Sequence, residues 1–319
     1  MVIINKEVIQ SYLMTTARYD FSVDEKRVLT RLVEMFQPML EGKKLVGKIE
    51  QDLFQTWHLT IPIKQFIGGN DNYQRVRNAI FALNDKKFIY TDDEVEEVIR
   101  IVEMPKIYKR GIIQFCLNPK IVQCFLNMSK GFSKYELEVS LSFKSVYSMR
   151  LYELLAGQLH ALTYNIETLK QMFQVEDKYV RSSDFVNRVI LVAKMELDKK
   201  SPITFTYRIN KRGRRWHSIT FQVHKQPQFQ DGEIELSKLK RRVDPSLLLG
   251  REIYRYLIST CGFENRELKN NLALFGKAMD LFGEEELLNS IRKIQFRARK
   301  ASNPKGYIIN ALKSMTDIV

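Results

Sequence analysis

The residues Lys211-Arg212-Gly213-Arg214-Arg215 put four cations on what reads as a turn, because a glycine relieves the backbone there and alternating apolar residues lead into it. A cluster of this kind neutralises phosphates, and an arginine at its tip can enter a minor groove. Just upstream, Lys178, Arg181, Ser182 and Ser183 gather cations and hydroxyls at a helix start. Asn187 and Arg188 follow one turn on, with side chains suited to adenine and guanine edges in a major groove. A second set lies earlier in the chain: Gln74, Arg75, Arg77 and Asn78 fall on the polar face of an amphipathic stretch. The hairpin after that stretch carries Asp92, Asp93, Glu94, Glu96 and Glu97, which phosphate repels. It reads either as a protein contact, self-association through a strand edge included, or as a solvated acidic turn. The bland alternatives for the cations are a solvated turn and, for Arg188, a structural ion pair.

Catalytic chemistry finds no comparable constellation. Gly42-x4-Gly47-Lys48 imitates a phosphate loop, but Ile49 stands where the metal-binding Ser or Thr belongs, and a capped helix and a proline precede it instead of a strand. The histidines His58, His160, His217 and His224 form no His-x-His pair, which disfavours a metal-dependent tyrosine nickase. Cys116 and Cys124 are too far apart for a zinc knuckle, no matching Cys/His pair follows, and they read as small buried hydrophobes. No Gly-x-Ser-x-Gly elbow is present. The chain is expected to be no enzyme and to need no cofactor or metal.

These residues sit in 319 amino acids, about two domains at roughly 150 residues each. The 45% hydrophobic content fits a globular chain. No apolar run is long enough to span a bilayer, and Val2-Ile3-Ile4 before Lys6 is too short for a signal-peptide core. Three cysteines fit a reducing compartment, so a cytoplasmic protein without membrane contact is expected. The formal charge of +14 divides as +4 over residues 1–135, +6 over 136–225 and +4 over 226–319. Positive charge spread in this way belongs to folded surfaces, not to a detachable tail.

The elements that must carry the cations can be traced. Ser22-Val23-Asp24-Glu25 is a capping box opening a helix that Pro38 limits. Residues 41–52 read as a loop, followed by an extended piece at 57–61, a short helix around 63–67 and the turn Gly68-Gly69-Asn70. A helix at 73–83 and strands at 88–91 and 95–104 follow. The order repeats: extended 135–141, a helix over 142–159, a short helix capped by Asn165, and a long helix capped by Ser182 or Ser183 and running to about Leu197. A hairpin, 203–210 and 216–225, closes it. Helix, turn, helix, hairpin is the order of a winged helix. The expected fold is α+β: two tandem winged-helix domains, 1–132 and 133–226, a linker at 227–243 with Lys238, Lys240, Arg241 and Arg242, and a C-terminal helical region, 244–319. Asp244-Pro245 and Asn303-Pro304 start helices in that region, where Leu268/Leu272/Phe275 and Leu287/Ile291/Ile294/Ala298 form inward stripes.

At these residues the sequence resembles the replication initiator (Rep) family of iteron-containing plasmids. The likeness is carried by Ser145-Val146-Tyr147-Ser148-Met149-Arg150-Leu151-Tyr152-Glu153-Leu154-Leu155. It continues in Tyr179, Asp184-Phe185, Arg188-Val189-Ile190, Ala193 and Glu196, and in Arg212-Gly213-Arg214-Arg215 with Ile219 and Phe221. The resemblance implies two winged helices, the first contributing dimerisation. It implies monomers that bind tandem origin repeats in double-stranded DNA, dimers that repress the initiator's own gene at an inverted repeat, and recruitment of host initiator and replicative helicase. Glu196-Leu197-Asp198-Lys199-Lys200 departs from the family's usual Glu-Ile-Asn ending, and the helices after 243 exceed the common two-domain core. Asn303-Pro304-x-Gly306-Tyr307 resembles a segment of other replication-initiation and helicase-loading proteins. The reading is a plasmid replication initiator. The alternatives are a tandem winged-helix transcriptional regulator without replication activity and, further off, a rolling-circle nicking enzyme.

Overall fold

Apolar spacing and capping residues build the elements in the order that the sequence suggests, with several revised boundaries. The computed structural model describes residues 5–45, 47–66, 73–91, 95–158, 160–235, 238 and 245–317. The Gly68-Gly69-Asn70 turn, the Asp92-Asp93-Glu94 tip, Lys240-Arg241-Arg242 and the Asp244 cap lie outside these residues. Two compact units divide the chain, Met1–Gln230 and Asp231–Val319.

The first unit opens with β1 (Glu7–Ser11), the single-turn α1 (Tyr12–Thr16) and α2 (Val23–Phe36). The capping box forms: Ser22 Oγ accepts from the Glu25 amide at 3.3 Å, and Glu25 accepts from the Ser22 amide at 2.9 Å. Then come β2 (Lys48–Gln51), β3 (Trp57–Pro62), α3 (Tyr73–Asp85), β4 (Lys87–Thr91), β5 (Glu96–Arg100), β6 (Val102–Tyr108), β7 (Ile112–Leu117), α4 (Pro119–Leu126) and β8 (Phe132–Glu136). Helices α2 and α3 pack together and β4–β5 is the wing, which makes this a winged helix. A four-stranded antiparallel sheet, β2-β3-β7-β6, is added to it, and β1 pairs with β8.

Three expectations are corrected here. Residues 41–52 are not one loop. A 3-10 turn, Gln37–Glu41, leads through Gly42 to β2, where Ile49 pairs opposite Leu59. The strand expected over 95–104 is two strands, divided at the fully buried Ile101: β5 pairs with β4 and β6 with β7. Within β6 the register shifts between Glu103 and Lys106, and Met104 takes φ 50°. This bulge lets Pro105 sit in a strand without breaking the ladder. Finally, the extended piece and long helix over 135–159 become β8, α5 (Leu137–Ser142) and α6 (Val146–Leu155), because Ser145 accepts from the Tyr147 amide and caps a new helix.

The second winged helix continues with β9 (Leu162–Asn165), α7 (Ile166–Phe173), α8 (182–200), β10 (Ile203–Arg212) and β11 (Arg215–Lys225), the strands in antiparallel order β10-β11-β9. Asn165 caps α7 by accepting from the Glu167 amide at 3.0 Å. Both winged helices share one apolar core, in which Phe36, Phe125, Tyr152, Phe185 and Phe221 are buried.

The second unit consists of α9 (Pro245–Ser259), α10 (Asn265–Asn270), α11 (Leu272–Ala298) and α12 (Pro304–Asp317). Its expected stripes are buried, Phe275, Leu287 and Ile291 completely. Gly283, at φ 73° and ψ 172°, interrupts α11, a conformation that side chains rarely adopt. Among the described residues no helix is long and apolar enough to cross a membrane.

Candidate nucleic-acid interface

In the second winged helix, α7 ends at Gln174 in a left-handed conformation and the chain turns through 175–181 into α8. Lys170 holds that turn from below, donating to the Val180 carbonyl at 3.1 Å and pairing with Glu167 at 3.0 Å. Lys178 is exposed, its ammonium 5.5 Å from the Tyr179 ring centre and 3.5 Å from the Tyr147 hydroxyl. The helix start differs by a residue from the expected one. Arg181, not a serine, is the N-cap: its extended backbone leaves Ser182 already helical, and no side chain caps the first turn. The Ser182 and Ser183 hydroxyls therefore have no protein partner among the described residues.

Helix α8 comprises Ser182–Phe185, a π-helical turn Val186–Ile190 and Leu191–Lys200. The π turn has a packing logic. Phe185, Val189, Ala193 and Leu197 are all completely buried, yet a row spaced by four drifts around a helix of 3.6 residues per turn. One wider i→i+5 turn slows that drift and keeps the row on the core. The opposite face then presents Asp184, Asn187 and Arg188, all exposed. Steps of three and four from these residues reach Leu191 (38% exposed) and Met195 (50% exposed), which the sequence reading missed. The same spacing would have found them, and apolar side chains there suit thymine methyl groups.

The hairpin β10–β11 brings Arg212 opposite Arg215, with Gly213 at φ 62° making the turn. Asn210 pins its base by donating to Ser218 Oγ at 3.1 Å and to Thr220 Oγ1 at 2.9 Å. Lys211, Arg212, Arg214 and Arg215 are all exposed. Together with Arg181 and Arg188, their side chains make no hydrogen bond or ion pair among the described residues. Unpaired cations at a rigid hairpin tip and along a helix face are what a polyanion site requires.

The first winged helix is arranged differently. Gln74, Arg75 and Asn78 are exposed on α3 and Arg77 is half-buried, but these side chains are engaged with neighbours. Arg75 makes a bidentate contact with Asp24 at 3.0 and 2.8 Å, tying α3 to the start of α2. Gln74 donates to Asn78 at 2.9 Å, and Arg77 lies 5.0 Å from the Phe81 ring centre. On the acidic hairpin, Glu97 pairs with Lys120 at 2.9 Å and Glu96 with Arg18 at 3.6 Å.

Residues 7–156 match the family profile described as Initiator Replication protein, WH1, and residues 165–223 the one described as Initiator Rep protein, WH2. Together these matches span about two thirds of the chain. The chain belongs to this replication initiator family. Its profile boundaries fall on structural landmarks: the first runs from β1 to the end of α6, and the second begins at the Asn165 cap and ends within β11. The initiator's second unit, from Asp231, lies beyond both. A solved structure of the Pi initiator protein in complex with iteron DNA superposes with a TM-score of 0.50 at 16% identity, over 69% of this chain and 97% of that one, a likeness of fold. A structure of domains 2 and 3 of RctB matches at a TM-score of 0.37 and 10% identity, over 70% of this chain and 92% of that one, too low to carry an argument.

The initiator's most specific motif, residues 145–155, forms no part of the exposed surface. Helix α6 belongs to the first profile yet packs against α8 of the second winged helix. Arg150 and Glu153 of this helix are buried towards other neighbours: Glu153 pairs with Lys26 of α2 at 2.7 Å, and Arg150 donates to the Ala17 carbonyl at 2.7 Å.

Groups suited to catalysis are dispersed. Gly42 and Gly47 lie between a 3-10 turn and a strand, with no helix start to receive a phosphate. Among the described residues no group of three or more His, Cys, Asp or Glu is placed to hold a metal. All three cysteines are buried thiols. Burial pushes Cys124 up to about 12 and Cys261 to about 11, far from a thiolate at neutral pH. His58 is held by Asp52 at 2.8 Å, His224 contacts Thr206 at 3.0 Å, and His160 and His217 are exposed.

Proposed function

We propose that this initiator binds tandem repeats at a plasmid origin in double-stranded DNA and opens the adjacent A·T-rich DNA without cutting it. The observation that carries the reading is the second winged helix, where the Asn187/Arg188 face of α8 and the unpaired cations of the β10–β11 tip belong to one rigid unit. In this mechanism the wing neutralises phosphates and fixes register, while α8 reads base edges in the major groove. Helix α3 reads a second major groove one helical turn away, with Arg75 acting mainly as the clasp that orients it. Several copies on adjacent repeats strain the neighbouring duplex and recruit the host initiator and replicative helicase. A dimeric form represses the initiator's own gene, its self-association running through the edge of β5, where Val98 is exposed. Footprinting on the DNA that flanks the gene tests the reading: direct repeats of about two helical turns are expected, and protection of a lone inverted repeat would point to a regulator instead.

Two further outcomes are expected. Arg188→Ala should weaken binding by roughly 1–3 kcal/mol and relax preference at one base position in a binding-site selection. Uniform weakening across all positions would make Arg188 structural. Supercoiled origin DNA incubated with the protein and a divalent metal should stay unnicked; a covalent tyrosyl adduct would make the protein an enzyme.

A further inference from the structure

The second unit carries a cationic face that the duplex-reading surfaces do not use. After the break at Gly283, α11 buries Leu287, Ile291, Ile294 and Ala298 against the rest of the unit. At 100° per residue, Arg292, Lys293, Phe296 and Arg297 fall on the opposite arc, with Phe296 near its middle, and Lys300 follows in the turn just past the helix end. All five are exposed, Phe296 at 72%. From Leu287 to Thr316 the sequence contains no acidic residue. Arg292 lies 5.8 Å from the Tyr256 ring centre, while Lys293, Arg297 and Lys300 form no ion pair among the described residues. The carboxylates of Glu284, Glu285 and Glu286 stand at the other end of the helical segment. Glu285 is seven residues before Arg292, about 10 Å along the axis, roughly a Debye length at physiological salt, so it does not neutralise the patch.

An aromatic ring at the centre of a ring of cations has a specific use. A carboxylate-bearing partner would need the charges but not an exposed ring, and a lipid surface would need a broader apolar face than one phenylalanine. In a duplex the base faces are stacked on one another and out of reach. Single-stranded DNA offers both complements: phosphates for the flanking cations and an unstacked base for the ring. We propose that this face of α11 is a single-stranded DNA site, with Phe296 stacking on a base and Arg292, Lys293, Arg297 and Lys300 contacting the backbone. Binding of single strands needs nothing from the origin reading. That the bound strand is one released by origin opening rests on it.

The test uses the full chain and a fluorescent oligothymidylate of about 16 nucleotides, the upper end of sites of this kind. Phe296→Ala should weaken binding roughly five- to 150-fold, and Phe296→Trp should restore it. Replacing Lys293 and Arg297 together by Ala should flatten the salt dependence of log K by about 1.4, or 0.7 per lost contact. Binding of duplex repeats should be unaffected by these changes. Equal affinity of Phe296→Ala and the parent protein for the oligonucleotide would overturn the proposal. So would equal losses on oligonucleotide and duplex, or an effect seen only in the protein's own oligomeric state. Failure to bind duplex repeats while oligothymidylate binding persists would overturn the origin reading and support this site.

Discussion

Replacing Lys26 by Met should lower the stability of the first unit by roughly 3–5 kcal/mol, because it leaves a buried carboxylate without its counter-charge. Lys26 and Glu153 are both buried and meet at 2.7 Å. The other Glu153 oxygen accepts from the Gln10 side chain at 3.0 Å, and Gln10 in turn accepts from the Tyr135 hydroxyl at 2.8 Å. Beside them Arg150 stacks 3.9 Å from the Tyr19 ring centre and 4.8 Å from that of Phe173. Its guanidinium donates to the carbonyls of Ala17 at 2.7 Å and Met172 at 2.5 Å. The cluster thus joins α2 and the segment before it to α6 and the end of α7, which are parts of both winged helices. Trp57 and Trp216, the chain's two tryptophans, both lie in this unit, so their fluorescence follows its unfolding alone. A midpoint shift on the order of 1 M urea is expected. Lys26→Met combined with Glu153→Leu should recover part of the loss, since the carboxylate goes with its counter-charge while Arg150 keeps its carbonyl and ring partners. Burial by itself would lower the Lys26 pKa, but the Glu153 carboxylate and the Tyr19 phenol outweigh it and hold the ammonium above its ordinary 10.5. The pair's contribution is therefore complete at neutral pH and is lost as pH rises through that raised value. The difference between parent and variant should stay constant through neutrality and shrink only above about pH 10. Superimposable unfolding curves at pH 7 would show that the pair contributes nothing to stability.

That cluster also marks the limit of what the sequence reveals. The Ser22/Glu25 box, the Asn165 cap and the alternation from Ile203 to Ile209 are local signals, and each element they announce is present. The cation turn was legible for the same reason, since charge and turn chemistry sit within five residues. Lys26 and Glu153 are separated by 127 positions, and nothing in either local pattern says that both side chains are buried against each other. Arg75 shows another long-range contact that spacing does not reveal: it lies on the polar face of α3, as the spacing requires, and its guanidinium meets Asp24, 51 residues earlier. The sheet β2-β3-β7-β6 escaped because its strands are short and one carries Pro105 at a bulge, although Asn118-Pro119 after β7 is a readable helix start. The motif at 145–155 carries the family resemblance without displaying a physical reason for its residue types. The structure supplies one: Arg150 and Glu153 are polar residues that the shared core requires, so their types are fixed by burial rather than by contact with a ligand.

Binding is where the exposed cations should be felt. Replacing Arg212, Arg214 and Arg215 together by Ala should weaken binding to every DNA sequence, on the order of a hundredfold near physiological salt. The slope of log K against log salt should fall by about 2.7, that is 0.9 for each phosphate no longer neutralised. The loss should be uniform across sequences because phosphates carry no base identity, and this separates the wing from Arg188, whose loss should relax one position. Folding should be untouched: all three side chains are exposed and without protein partners among the described residues, and the turn itself is made by Gly213. The tryptophan unfolding curve of the triple variant should therefore overlay that of the parent, which makes the test clean. An unchanged salt slope would remove the wing from the interface and leave α8 as the sole reader in the second winged helix. A reduced slope with intact base preference would mean that the β10–β11 tip grips the backbone while α8 chooses the site.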